Sequence, residues 1–142
     1  MKYIFSILLS YFQVLANHQI SIQGEIYNHD NIVVCDIPTT QLSCFYKRGF
    51  FTTESLYKEG FIHCAKPRQL PYVINKYFTD NSYALFISHR SILGEALVYE
   101  GKDPNNLYPH LRRPFFARDV IKIIVLNRNS FGLFEIPKEL RL

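Results

Sequence analysis

The sequence predicts an α+β domain with a mostly antiparallel sheet and one or two helices. Short apolar runs recur, the first of them β-branched: NIVVCDI at Asn31–Ile37, YALFIS at Tyr83–Ser88 and DVIKIIVL at Asp119–Leu126. One segment behaves differently. Leu70, Val73, Ile74, Tyr77 and Phe78 recur at spacings of three and four, one face of a helix over Pro67–Phe78. The order is strand, helix, strand, helix and then several strands, which belongs to the α+β class.

The elements follow in chain order. Residues 1–16, MKYIFSILLSYFQVLA, start with Lys2, continue as an apolar run and end in Val14-x-Ala16. That is the form of a secretory signal peptide, and the run is too short to span a membrane. On this reading the chain is secreted or exported. The alternative is a cytoplasmic protein whose first core element is this run. Residues 17–30 form an N-terminal arm, either loose or a short strand with Ile20, Ile22 and Ile26 in alternation. Residues 31–142 form the one domain that this length allows.

Within the domain, the first strand is Val33–Ile37, stopped by Pro38. Thr39 or Thr40 caps a helical turn through Leu42, Phe45 and Tyr46, which Gly49 ends. Phe50–Thr53 is a brief strand or turn. The stretch EGFIHC, Glu59–Cys64, is a short apolar segment reached through a glycine. Pro67 and Pro71 fit the opening turn of the helix that follows. Strands come next at Tyr83–Ser88, Ala96–Tyr99 and Val120–Leu126. Between the last two, Gly101–Asn106 is a turn-rich loop, and Tyr108–Pro114 is irregular chain punctuated by prolines.

Composition narrows the function. The net charge is +4 with no block of five or six like charges, so nothing marks a DNA-binding protein. The late cations Arg112 and Arg113 suit phosphate, which a guanidinium grips bidentately. The three cysteines, Cys35, Cys44 and Cys64, lack metal-ligand spacing, so no metal site is expected. An exported chain has room for one disulfide, but Cys35 and Cys64 read first as buried, reduced thiols. Cys64 is a poor nucleophile candidate, because neighbouring residues on a strand face opposite ways and His63 cannot serve it.

Candidate chemistry gathers on His63, Glu100 and His110. Each histidine sits among apolar or proline neighbours that would hold an imidazole in place, and imidazole serves as donor, acceptor or general base near neutral pH. Glu100 ends a strand beside a glycine loop. Asp36, ahead of Pro38, either accepts from a ligand hydroxyl or satisfies local N–H groups.

Three motifs occur in order: VCDIPT at Val34–Thr39, EGFIHC at Glu59–Cys64, and LVYE at Leu97–Glu100 followed by YPHL at Tyr108–Leu111 and then Pro114. Together they resemble the DUF952 family, over about Asn31 to Asn127. The resemblance implies an ADP-ribosyltransferase-like fold, in which NAD or an ADP-ribose-like ligand lies in a cleft between two small sheets. It implies catalytic roles for His63, His110 and Glu100, and cofactor-binding roles for Asp36 and Arg112. The match is inexact. Asp36 stands where the family tends to carry His or Lys, Ala65 where it carries Ser, and Arg112 and Arg113 where it carries Tyr and Gly. Two functions follow as expectations: a nucleotide-binding, transferase-like protein, or a non-enzymatic secreted interaction module.

Overall fold

A computed structural model describes residues 19–141. The proposed leader, residues 1–16, lies outside the described residues. The described residues open with a hairpin of β1 (Gln19–Ile22) and β2 (Glu25–Asn28). Its two-residue turn places Gln23 at φ 55° and Gly24 at φ 83°. Both angles are left-handed, the geometry whose twist matches paired strands. Ile20 and Ile22 are buried, so this segment is an integral strand pair and not a loose arm; Ile26 points outward.

The main sheet has six strands in the order β10-β6-β3-β5-β8-β7, every neighbouring pair antiparallel. These are β3 (Ile32–Pro38), β5 (Ile62–Ala65), β6 (Ser82–His89), β7 (Leu97–Glu100), β8 (Tyr108–Leu111) and β10 (Lys122–Asn127). The expected split sheet is instead continuous, but its middle joint is short. β3 and β6 are registered from Ile32↔His89 to Pro38↔Tyr83, whereas β3 and β5 pair only at Val34↔Ala65 and Cys35↔Cys64. The side pair β4 (Phe50–Phe51) and β9 (Phe115–Phe116) lies apart from this sheet.

Among the described residues four α-helical segments, more than expected and all short, flank the sheet: α1 (Leu42–Arg48), α2 (Glu54–Glu59), α3 (Leu70–Tyr77) and α4 (Arg90–Leu93). Both sheet faces are covered. On one, Ile32, Val34, Leu85 and Ile87 pack under Leu70, Ile74 and Phe78 of the α3 region, beside Ile20, Ile22 and Leu140. On the other, Val33, Ile37, Ala84 and Phe86 meet Phe45, Phe51 and Phe115. Phe86 sits 4.7 Å from Phe45 and 4.8 Å from Phe51, ring centre to ring centre. These edge-on and tilted contacts suit the ring quadrupoles.

Four sequence expectations are corrected here. Tyr108–Leu111 is a strand. Pro109 lies beyond the last β5–β8 pair, where a residue without an N–H is tolerated. The last strand begins at Lys122, because Ala117–Asp119 turns to bring the Asp119 carboxylate to the Phe116 N–H at 2.8 Å. Arg113 is not free for phosphate: its guanidinium grips Asp119 through two bonds of 2.7 and 3.1 Å. Finally, Cys35 and Cys64 are not thiols. They face each other across β3 and β5 with Cα atoms 4.5 Å apart and form a disulfide, while Cys44 is free and exposed.

Candidate functional site

The site follows from strand register. Val34 opposes Ala65 and Cys35 opposes Cys64, so the next residue along brings Asp36 beside His63. His63 opposes His110, and His110 opposes Val98. Residues two apart on a strand share a face. Glu100 and Tyr108, a registered pair, therefore lie on the same face as Val98 and His110. The result is a row of polar side chains crossing four strands, β3, β5, β8 and β7, under one cavity of about 980 Å³. Asp36, His63, Glu100 and His110 all line it. Arg112 does not line it, and sits behind Glu100.

The local structure behind His63 begins one helix earlier. Thr53 caps α2 by accepting from the Leu56 N–H at 3.2 Å. Gly60 closes that helix at φ 90°, a left-handed conformation only glycine adopts without strain, and turns the chain into β5. The turn brings Glu59, the last residue of α2, to His63. The His63 Nε2–H donates to Glu59 Oε2 at 2.9 Å. Thr53 and Ser55 join the cavity wall from the same helix.

His110 is held in a parallel way. Its Nδ1–H donates to Glu100 Oε1 at 3.4 Å, and its ring stacks on Phe61 at 3.9 Å with the planes 9° apart. The two imidazoles lie 5.4 Å apart, centre to centre, nearly perpendicular. In each, a carboxylate fixes one ring nitrogen and leaves the other to accept or deliver a proton, the arrangement general acid–base chemistry needs. Burial pushes the His110 pKa below the ordinary histidine value, and the Glu100 hydrogen bond only partly offsets this. The Arg112 guanidinium, 3.0 Å from the same Glu100 oxygen, holds the Glu100 carboxyl below the usual carboxylate range. At neutral pH this part of the row is a neutral imidazole beside an ionised carboxylate.

Asp36 is the opposite case. Among the described residues it makes no hydrogen bond or ion pair. Its side chain lies deep among protein atoms although part of it opens onto the cavity. Burial raises its pKa to about 6, with the nearby His63 working in the other direction. The sign of the linkage follows. A carboxyl whose folded pKa lies above its unfolded value binds more protons in the native state. Stability is therefore lost as pH rises from near 4 through 6, and the cost persists above that. The Asp36→Asn variant should accordingly be more stable than wild type at neutral pH, by roughly 1–3 kcal/mol, and lose that advantage near pH 4. Urea unfolding of both chains at the two pH values checks this; equal midpoints at neutral pH would mean Asp36 is solvated or paired.

The rest of the wall was not singled out from sequence. Tyr72, Tyr77, Tyr83 and Tyr108 line the cavity with Lys102 and Asn106. The first two sit on α3 and are more than half exposed, so they form its mouth. The 101–106 loop is anchored from below by buried Gln69. The Gln69 side-chain NH₂ donates to Asn106 Oδ1 at 2.9 Å and to the Leu107 carbonyl at 3.0 Å, while its Oε1 accepts from the Lys66 N–H at 2.9 Å. Among the described residues no helix is long and apolar enough to cross a membrane.

Comparisons place this arrangement. The family model described as a protein of unknown function, DUF952, matches residues 36–123. The crystal structure of protein CC0527 from Caulobacter crescentus is similar with a TM-score of 0.69 at 22% identity, covering 77% of this chain and 97% of that one. The solution structure of the same protein gives a TM-score of 0.61 at 22% identity, covering 71% and 89%. At such identity the likeness shows the fold alone. No curated protein matches the chain.

Proposed function

We propose, starting from a chain that belongs to the DUF952 family of proteins of unknown function, that its cavity binds a nucleotide of the NAD or ADP-ribose class. The observation that carries this reading is the single polar row of Asp36, His63 and His110 with Glu100, set under tyrosine walls in one cavity of about 980 Å³. That volume lies at the upper end of small-molecule pockets. Flat rings offer stacking faces for a base. Lys102 on the wall supplies a cation for phosphate. Glu100 and the imidazoles suit ribose hydroxyls, and they are the groups an ADP-ribosyltransferase-like reaction would use.

Calorimetry of the full chain with NAD and with ADP-ribose tests the reading. Binding of either supports it, and binding of neither rejects it. His110→Ala removes a buried ring and leaves the Glu100 carboxylate with one partner fewer. It should weaken nucleotide binding by roughly ten- to a hundredfold while the fold persists. Release of free nicotinamide from NAD would separate a transferase from a binding module.

A second reading is favoured by the Cys35–Cys64 disulfide. Disulfides persist in oxidising compartments. An exported protein, with residues 1–16 as its removed leader, fits that chemistry, and such a protein could keep the cleft for binding without catalysis. N-terminal sequencing from the native cell decides it: a start at Asn17 supports export, and a start at Met1 or Lys2 rejects it.

A further inference from the structure

We propose that the Asp36 end of the cavity is a subsite for a flat organic cation, with the Asp36 carboxylate as its counter-ion and the Phe78–Tyr83 ring pair as its wall. The inference deepens the nucleotide reading, which supplies only the choice of probes.

The argument starts from what Asp36 lacks. A largely enclosed carboxylate without a protein donor is costly, and the side of Asp36 that opens onto the cavity is where a partner can reach it. The neighbouring hydroxyl makes no bond to it and is held elsewhere. Pro38 opposes Tyr83 across β3 and β6, so Tyr83 and Asp36 are close diagonal neighbours on one face. The Tyr83 hydroxyl, however, accepts from the Thr79 and Asp80 N–H groups, both at 3.0 Å. Those bonds hold the ring fixed, and Phe78 stacks on it at 4.0 Å with the planes 23° apart. Both rings line the cavity with Asp36. His63 is the cationic partner within reach when protonated, and its Nε2 is committed to Glu59. Of the other ionisable groups on the cavity wall, Glu100 is engaged with Arg112 and His110, and Lys102 belongs to the loop that follows β7.

An unpartnered carboxylate beside a rigid aromatic pair is the recognition chemistry of an organic cation. The negative faces of the rings and the carboxylate attract the same charge, and the site is shielded enough for that attraction to count. A neutral ring of the same shape would gain the stacking and lose the charge. A protonated Asp36 would not serve, so the preference belongs to the ionised form.

The test uses the full chain at about pH 7.5, where Asp36 is ionised. Two probes are titrated by NMR: the cation 1-methylnicotinamide and neutral nicotinamide, which share a ring and amide. The cation should bind at least about tenfold more tightly and shift the Phe78 and Tyr83 ring signals. In Asp36→Asn, whose fold is monitored in the same spectra, the two probes should bind alike. Equal affinities in wild type, a preference that survives in Asp36→Asn, or binding of neither probe would each overturn the proposal. The nucleotide reading is decided separately by NAD and ADP-ribose. Cation selectivity without nucleotide binding would leave the subsite standing and remove that reading, and the reverse result would do the opposite.

Discussion

Unfolding in urea should show the Cys35→Ala/Cys64→Ala variant to be less stable than the oxidised wild type by about 3–4 kcal/mol. The bond closes a loop of sequence separation 29, and the entropy it removes from the unfolded chain accounts for that figure. Both cysteines are buried, so the variant also leaves a small void that adds to the loss. Reductant should lower the wild-type midpoint towards that of the variant and leave the variant unchanged. Coincident midpoints for oxidised wild type and variant would show that the bond is not formed. The site should respond as well. Cys35 and Cys64 immediately precede and follow Asp36 and His63 respectively, in the manner of a clamp on the opposite sheet face, at one of the two joints where registered pairing is short. Loosening that joint moves Asp36 relative to His63, and nucleotide affinity should fall together with stability.

The second large effect is expected at Asp119. Asp119→Ala should cost about 3–5 kcal/mol, the range for breaking a buried ion pair from one side. Asp119 is 1% exposed and accepts from both arms of the Arg113 fork and from the Phe116 N–H. Its removal leaves a guanidinium and an amide without their acceptor. Arg113→Met combined with Asp119→Ala should recover part of the loss, because no charge then remains unpaired. Thermal melts of the two single variants and the double variant form the cycle. Purely additive losses would show that the pair does not interact.

Much of the fold was legible because its strands are long enough to show their composition. Tyr83–Ser88 read correctly from its short continuous apolar run and the Pro67–Phe78 segment from its helical spacing. YPHL did not, because a proline in a four-residue strand outweighs its apolar neighbours in any local reading, and only the flanking strands reveal that it is paired. The α2 helix was missed although its signals are present: Thr53 ahead of Glu54 at one end and Gly60 at the other. Six residues are too few to show a helical stripe. Asp36, His63, Glu100 and His110 could be named one by one from their motifs, but their common face is a property of register, which depends on residues far apart in the chain. The tyrosine wall and the occupied state of Arg113 had no local signature. The disulfide depended on the same register, and an odd cysteine count pointed away from it.

The hairpin at the start and the tail at the end have a practical meaning for anyone cutting this gene. The family match begins at 36 and ends at 123. Yet Ile20, Ile22, Ile32, Val34, Leu126 and Leu140 are buried in one core with Leu70, Ile74 and Leu85, and Arg128 ties the tail back to the carbonyls of Phe78 and Asp80 at 3.2 and 3.0 Å. A fragment trimmed to the match would carry the cavity residues but bare the apolar underside of α3 and half of β3 would be missing. Such a fragment would be expected to aggregate rather than report on the site. Similarity and autonomy have different boundaries in this protein, and the wider one should set the ends of any expressed piece.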